Sequence, residues 1–482
     1  MKKHGKAFLI AGVIWVAVIL STSGIYGQQK DRDMVEGIPV NYNESLVGTY
    51  ILPDPLVFAD GKKVKNAREW YKKRRPQILA LFEEYQYGKV PEKPKDMSFN
   101  IFDSGTSALN GTAVRKQVTI YFTKDTSGHK MDLLIYLPAG ANKPVPLFFS
   151  IGFAPNATVV DDPGIKAGFV PGKDGKKIPV QRKSGFGRMD ISPFLSEGIG
   201  FATVNYGDIE PDFGEGIKYG IRGYYLKEGQ EYPAPDEWGA ISAWSWGLSR
   251  AMDYFETDPM IDSKKVVIFG VSRLGKTALW TGVRDSRFGL VIASCSGEGG
   301  AALSRRNYGE TIDHMTHPKR YFYQFAGNWR NFKDDPSKSP VDAHMLVALM
   351  APRPLLLQTG DTDNAESLGH DESGRSAVLG RVEADLREGK LGALYAFPGG
   401  RKKAGRRHPG SGRKGQGLAI MAGFVKSPSA ALRFNFVVAA PKGPHSSVFA
   451  RLASGAFYKT IGPATSVKSG ITVSEINGFA IS

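Results

Sequence analysis

A buried apolar run that ends in glycine and turns at once into a helix places the strongest constraint on this chain. Val266 to Phe269 reads as a strand covered on both faces, and a helical pattern begins within a few residues of Gly270. Such a tight turn lifts Ser272 above the carboxyl edge of a sheet, with the helix amino terminus beneath it. Backbone N–H groups there can stabilise an oxyanion. The pattern is typical of a nucleophile elbow with Ser272 as nucleophile.

Two other interpretations of this turn remain open. Leu274 replaces the second glycine of the common G-x-S-x-G pattern, so Ser272 could simply cap the helix. The segment Gly270 to Thr277 also fits the phosphate-loop pattern G-x-x-x-x-G-K-[ST]. The phosphate-loop interpretation is disfavoured, because no further glycine lies inside the loop to let amides wrap a phosphate.

The remaining chain predicts an α/β fold with a mostly parallel sheet. Apolar runs alternate with helical patterns, which is typical of parallel strands joined by helices. The predicted helices span residues 64–87, 236–255 and 341–350. The predicted strands span residues 117–122, 133–137, 145–150, 200–205, 265–269, 290–293 and 354–359.

The charge and cysteine content exclude several classes. The net charge is +16, but the residues from Lys390 to the end hold 14 Lys or Arg and one acid, Glu475. The basic excess therefore lies in this one segment, and its densest stretch, Arg401 to Arg407, has no interleaved aromatic residues, which does not indicate a nucleic-acid-binding module. The single cysteine, Cys295, excludes an internal disulfide and a multi-cysteine zinc site.

The amino terminus resembles an export signal. Three lysines precede an uncharged apolar run of 14 residues from Ala7 to Leu20, which is shorter than the about 20 residues of a membrane-spanning helix. We predict a signal peptide over residues 1–27, cleaved near Gly24 to Gln28. The mature protein is then secreted or periplasmic in a bacterium, with no membrane partner. The alternative is an uncleaved anchor.

The elbow and its flanking motifs resemble the bacterial glucuronoyl esterases, a carbohydrate esterase family. Gly270 to Lys276 matches the family pattern G-x-S-R-x-G-K, and the resemblance covers about Asn43 to Asn364. It implies an α/β-hydrolase fold, a three-layer sandwich with a mostly parallel central sheet. It also implies a serine triad without metal or cofactor, acting on esters that join glucuronoxylan to lignin alcohols. Further matching segments are Ala202–Phe213, Gly299–Arg306, Gly309–Glu310 and Pro340–Pro354.

The resemblance assigns roles to four residues near the turn. Ser272 is the expected nucleophile, and Arg273 is expected to assist the oxyanion. Lys276 and Glu310 match residues that bind the uronate sugar, although Glu310 could instead form an ordinary salt bridge to Arg305 or Arg306. His344 also matches a family position, but its apolar helical surroundings favour a structural role.

The triad acid departs from the common family pattern. Many relatives place a glutamate before the S-G-x-G-G turn, where this chain has Cys295. A thiol cannot orient and stabilise an imidazolium as a carboxylate does. We expect the acid in the loop after the next strand, with Asp363 favoured and Asp361 and Glu298 in reserve. An aspartate in such a loop can also be only a turn former.

The triad histidine is the weakest match. The resemblance stops near Asn364, after which only His370, His408 and His445 remain. His370 follows the acid loop too closely, and His408 lies nearest the expected interval. We therefore divide the chain into a signal peptide, a catalytic domain over residues 28–364, and a divergent basic region over residues 365–482 that is frame-shifted or replaced.

The sequence thus predicts an exported serine esterase that cleaves glucuronoyl esters, with Ser272, Asp363 and His408 as triad. The expected partner is glucuronoxylan or a lignin–carbohydrate ester, not nucleic acid. Two alternatives remain: an esterase for acetyl or other sugar esters, and a carbohydrate-binding homologue that has lost the triad histidine.

Overall fold

The computed structural model of the chain describes residues 34–180, 182, 187–360, 418–426 and 433–441. Ten of its strands form one sheet, in the order β13-β14-β12-β11-β10-β6-β9-β5-β4-β3, and the others form two short hairpins. The strands are β1 (Met34–Val35), β2 (Ile38–Pro39), β3 (Ser98–Ala108), β4 (Ala113–Tyr121), β5 (Lys130–Pro138), β6 (Val145–Gly152), β7 (Phe169–Pro171), β8 (Lys177–Pro179), β9 (Gly200–Asn205), β10 (Ile261–Val271), β11 (Leu290–Ser294), β12 (Leu355–Gly360), β13 (Leu418–Lys426) and β14 (Arg433–Pro441).

The helices pack on both faces of this sheet. They are α1 (Ala67–Glu69), α2 (Arg75–Tyr85), α3 (Asn156–Val159), α4 (Ser192–Ser196), α5 (Ala240–Phe255), α6 (Arg273–Arg284), α7 (Ile312–Thr316) and α8 (Ala343–Ala348). Short 3₁₀ helices, among them Gly214–Tyr219 and Ile221–Tyr225, follow the carboxyl end of β9. Among the described residues, no helix is long and apolar enough to cross a membrane. The predicted signal peptide lies outside the described residues.

The direction of the strands changes across the sheet. β9, β6, β10, β11 and β12 run parallel to one another, whereas β3, β4 and β5 on one side and β14 on the other add antiparallel pairs. The predicted α/β-hydrolase fold is confirmed. The expectation of a mostly parallel sheet holds for its five central strands, and both flanks are antiparallel.

Alternate residues of the central strands face two separate cores. Val266 and Ile268 of β10 face the core covered by α2, α5 and α8, whereas Val267 and Phe269 face the core covered by α3 and α4. All four side chains are buried. Each such burial contributes roughly 1.5–3 kcal/mol. Because both faces are covered, the strands need no polar face, which explains their near-continuous apolar sequence.

The helix predicted over residues 64–87 is interrupted. α1 is followed by a π turn, Trp70–Arg74, before α2 begins. Pro76 lacks an N–H, and its ring excludes a normal bond to the preceding turn. The chain widens there instead, so that the Arg75 N–H donates to the Trp70 carbonyl five residues back.

Two strands from the predicted carboxyl-terminal region join the sheet. β14 pairs with β12 from Leu355 opposite Ala439 to Gly360 opposite Phe434, and β13 pairs with β14. The proposed boundary at Asn364 lies outside the described residues. The division into domains therefore stays a prediction.

Candidate active site

Ser272 lies on a sharp turn between β10 and α6, at the carboxyl edge of the parallel strands. Its backbone has φ 57° and ψ −126°, a conformation that residues other than glycine rarely adopt. The Ser272 N–H donates to the Ser294 carbonyl of β11 at 2.9 Å. The neighbouring strand thus holds the strained serine in place.

Two glycines allow this turn to be so tight. A Cβ on Gly270 would lie 2.0 Å from the Leu274 carbonyl oxygen, and one on Gly275 would lie 2.4 Å from the Ser294 carbonyl oxygen. Both contacts are with backbone atoms that cannot move aside cheaply. The close approach that the second glycine of G-x-S-x-G usually permits is provided here by Gly275, two residues after Arg273.

The other two interpretations of the turn fit this geometry poorly. Ser272 precedes α6, but its side chain makes no capping hydrogen bond. Val271 is the last residue of β10 and Arg273 the first of α6, so one residue separates strand from helix. A single residue cannot form the loop of amides that surrounds a phosphate.

Arg273 is anchored by a residue whose role is not predicted from the sequence. Its Nη1 atom donates to the Asp212 carboxylate, which lies in the loop after β9. The Arg273 side chain keeps 27% of its surface exposed, whereas Asp212 keeps 9%. The guanidinium next to Ser272 is therefore held by Asp212 and is still accessible to solvent.

Asp212 is the centre of a small polar cluster. The Tyr323 hydroxyl donates to its Oδ1 at 2.9 Å, the Gln324 amide donates to the same atom at 2.8 Å, and the Tyr206 hydroxyl donates to Oδ2 at 3.3 Å. Burial raises the pKa of Tyr323, and the nearby Asp212 charge raises it further. Burial alone would lower the pKa of Arg273, but the Asp212 charge raises it overall. The cluster thus keeps the Arg273 guanidinium charged.

A buried ion pair fixes the loop that carries Asp212. Arg222 Nε donates to Glu210 Oε1 at 2.8 Å, and the two side chains are 2% and 0% exposed. Arg222 Nη1 also donates to the Trp238 and Tyr323 carbonyls, each at 3.2 Å. Because Glu210 is two residues before Asp212, this pair sets the position of the anchoring carboxylate.

Tyr321 connects the Arg273 cluster to Glu310. The guanidinium carbons of Arg273 and Arg320 lie 5.0 Å and 4.8 Å from the centre of the Tyr321 ring, within cation–π range. Arg320 Nη2 donates to Glu310 Oε1 at 2.8 Å, with both side chains buried. The ion pair of Glu310 is therefore with Arg320. Arg305 pairs with Asp342 and Arg306 with Glu44.

Lys276 ends the first turn of α6 and is 4% exposed. Its backbone N–H donates to the Ser272 carbonyl at 3.0 Å, which begins the hydrogen bonding of the helix. Ser272, Arg273 and Lys276 thus share one turn. Their catalytic and binding roles stay predictions.

The two places considered for the triad acid differ in their surroundings. Cys295 follows β11 with a φ of 48° and is partly exposed. Glu298 is 2% exposed and accepts a hydrogen bond from the Ser304 hydroxyl at 2.5 Å. β12 runs parallel to β11 and ends at Gly360, at the edge of the sheet where Ser272 lies.

The favoured acid and all three candidate bases lie outside the described residues: Asp363, Asp361, His370, His408 and His445. His344 is described, is 2% exposed, and contacts the Pro53 carbonyl through Nε2 at 2.7 Å. This agrees with the structural role predicted for it. Among the described residues, no group of three or more His, Cys, Asp or Glu could hold a metal ion.

An α/β sheet with a strained serine between a parallel strand and a helix defines the α/β-hydrolase class, which includes many carboxylic ester hydrolases. The family model for fungal glucuronyl esterases matches residues 176–378. A carbohydrate esterase, MZ0003, from an unknown prokaryotic organism is 45% identical over 334 residues, covering 67% of this chain and 76% of that protein.

A solved glucuronoyl esterase from Solibacter usitatus has a TM-score of 0.66 and 41% identity, covering 71% of this chain and 87% of that one. A 4-O-methyl-glucuronoyl methylesterase 1 from Wolfiporia cocos is 30% identical over 314 residues, covering 63% of this chain and 65% of that protein, just under two thirds of its length. The chain belongs to the glucuronoyl esterase family of carbohydrate esterases, which are carboxylic ester hydrolases.

Proposed function

We propose that this protein is an exported serine esterase that hydrolyses glucuronoyl esters between glucuronoxylan and lignin alcohols. One observation carries the proposal: Ser272 is strained at the elbow, beside a guanidinium that Asp212 anchors. A serine in this position points its hydroxyl to the sheet edge where substrates bind. The anchored Arg273 guanidinium next to it can stabilise the negative charge that develops on the carbonyl oxygen of the ester.

In the first step, the Ser272 hydroxyl oxygen attacks the ester carbonyl carbon and its proton passes to the triad histidine. The oxyanion of the tetrahedral intermediate is held by the Arg273 guanidinium and by the Arg273 N–H, which as the first amide of α6 has no acceptor within the helix. The intermediate collapses as the histidine returns the proton to the departing alcohol. Water then hydrolyses the acyl-enzyme by the reverse sequence and releases the uronic acid.

The same helix turn supports recognition of a uronate sugar. Lys276 lies one turn after Ser272, and Glu310 is linked to Arg273 through Arg320 and Tyr321. An ammonium and a carboxylate together suit the ring hydroxyls and polar oxygens of such a sugar. We assign Lys276 and Glu310 to substrate binding on this ground.

For the triad acid we favour Asp363, with Asp361 and Glu298 in reserve. This choice is supported by the position of the end of β12, which lies at the same edge of the sheet as Ser272 and directly precedes the two aspartates in sequence. Glu298 already holds the Ser304 hydroxyl.

For the triad histidine, the length of chain between each candidate and the nearest described strand favours His408 over His445. Phe436 of β14 lies level with Val271 of β10 in the sheet. Pro441 follows five residues later, so it lies about 17 Å closer to the opposite edge of the sheet. β14 is also three strand spacings, about 14 Å, from β10. His445 is only four residues beyond Pro441, and four residues span at most about 14 Å. His408 is ten residues before Leu418, which gives it a reach of about 35 Å.

The experiment is hydrolysis of benzyl glucuronate by the mature chain and its variants. We expect Ser272→Ala to abolish turnover and His408→Ala to lower kcat by at least about 10³-fold. His445→Ala is the matched control and should change kcat less than twofold. Asp363→Ala and Asp361→Ala form a second matched pair, in which only Asp363→Ala should lower kcat strongly.

Two results would contradict this proposal, and each would indicate a different function. Hydrolysis of sugar acetates in preference to glucuronates would indicate a broader sugar-ester esterase. No turnover of any ester and no fluorophosphonate labelling of Ser272, in a folded protein, would indicate a carbohydrate-binding homologue without a working base.

A further inference from the structure

A cavity of about 380 Å³ lies between the β7–β8 hairpin and the 3₁₀ helices that follow β9. Its volume falls within the range of about 300–1,000 Å³ that is usual for small-ligand sites. None of the residues assigned above to catalysis or uronate binding lines it. It is therefore a separate feature of the molecule.

Four exposed aromatic side chains line this cavity, of which Phe102 is 42% exposed. Phe169 is 44%, Tyr219 37% and Tyr224 48% exposed. Tyr224 is braced edge-to-face by His129, with ring centres 4.9 Å apart. Tyr219 is braced by the hairpin turn, since a Cβ on Gly175 would lie 2.3 Å from its ring. Exposed and braced rings cost little entropy when a flat apolar surface stacks on them.

The charged groups of the cavity are two carboxylates, Asp132 and Asp208, and three lysines, Lys130, Lys166 and Lys177. Asp208 accepts only the Asp132 N–H, at a long 3.3 Å, among the described residues. Lys166 pairs with the Asp132 carboxylate at 2.7 Å, and Lys130 donates to the Thr126 carbonyl at 3.1 Å. A lining that offers both donors and acceptors suits the hydroxyl groups of a neutral ligand, because a hydroxyl both donates and accepts.

We propose that this cavity binds a neutral pyranose of the polysaccharide backbone, stacked on Tyr224 and hydrogen-bonded through its hydroxyls to Asp208. The pyranose ring offers an apolar face to the aromatic side chain and hydroxyl donors at its edge. The choice of xylan as the polymer rests on the proposed function. The site would hold the chain at a point other than the ester.

The test is calorimetric titration of xylohexaose, which has no ester, into the full mature Ser272→Ala chain. We expect saturable binding that Tyr224→Ala weakens at least about tenfold and that Tyr224→Phe retains within about threefold, because the ring is kept. Tyr71→Ala is the matched control, since Tyr71 is 37% exposed in the π turn before α2 and does not line the cavity. Its affinity should change less than twofold.

Absence of saturable binding, or equal affinities of the folded Tyr224→Ala and Tyr71→Ala chains, overturns the proposal. Asp208→Asn should also weaken binding, and it serves as a second variant of unchanged size if Tyr224→Ala does not fold. The titration requires no turnover, so it stays informative if the esterase proposal fails. Conversely, Tyr224→Ala should leave benzyl glucuronate hydrolysis unchanged, so a loss of the cavity site is distinguishable from a loss of catalysis.

Discussion

The Arg273 guanidinium donates to the Asp212 carboxylate, so the cation beside Ser272 is anchored from a loop that follows a different strand. Asp212 in turn receives hydrogen bonds from Tyr206, Tyr323 and Gln324. An arginine side chain that moved freely would lose rotamer entropy whenever it met an oxyanion. The anchored side chain has already lost that freedom when the substrate arrives.

Asp212→Asn should therefore lower kcat for benzyl glucuronate by about 10–100-fold and leave KM within about threefold. Asparagine keeps the size of the side chain but removes the charge that holds Arg273, so the loss falls on the transition state. Steady-state kinetics would measure the change, with Asp60→Asn at an exposed surface pair as control. A raised KM with unchanged kcat would show instead that Arg273 binds the ground state.

Gly275→Ala should destabilise the protein by roughly 1–3 kcal/mol, although alanine normally favours a helix. The added Cβ would lie 2.4 Å from the Ser294 carbonyl oxygen, which also holds the Ser272 N–H. Gly140→Ala is the control, because a Cβ there meets open space, and its effect should stay within about 0.5 kcal/mol. Urea unfolding curves would compare them, and equal midpoints would contradict the close helix–strand approach.

Glu210→Gln should cost about 3–5 kcal/mol of the free energy of unfolding, because it leaves the Arg222 charge buried without its partner. The double variant Glu210→Leu with Arg222→Met should cost less than Glu210→Gln alone. Thermal unfolding would rank the variants, with Lys62→Ala at an exposed pair as a nearly neutral control. If the single variant proved as stable as the control, the pair would not be what positions the Asp212 loop.

Asp208 should make stability fall as the pH rises from about 4 to about 7. Burial raises the pKa of Asp208 to about 7, with a further contribution from the Asp132 charge. Between the unfolded and folded pKa values the folded chain binds more protons, so each rise in pH favours unfolding. Asp208→Asn should therefore stabilise the protein at pH 8 by up to about 2 kcal/mol, because solvent at this partly exposed group reduces the effect. At pH 4 the two proteins should have nearly equal melting temperatures, and a constant difference across this range would contradict the assignment.

The central strands and the elbow could be predicted from the sequence because their signals are local. β6, β9 and β11 are apolar runs that lie close to their predicted bounds, and the run predicted over residues 265–269 lies inside the longer β10. β3 could not be found in this way. Ile101 and Phe102 on this strand are 49% and 42% exposed, so its sequence carries no buried face.

The anchoring role of Asp212 was not predictable, since its partners come from three separate parts of the chain. Tyr206, Arg273 and Tyr323 meet around it only when β9, α6 and the segment after α7 are assembled. The one available signal was the series Asp208, Glu210 and Asp212 directly after a buried strand. Three acids at alternate positions there indicate paired carboxylates, but not which cation each one binds.

β3 has a further consequence for how the protein behaves in concentrated solution. Among the described strands it lies at the edge of the sheet on its side, and its pairing with β4 is irregular between Ile101 and Thr106. The Asp103 carboxylate accepts the Gly105 and Thr106 N–H groups, so these two donors are occupied within the strand. A bent edge with such occupied donors is disfavoured as a template for a strand of another molecule. The irregularity thus protects the sheet from edge-to-edge aggregation.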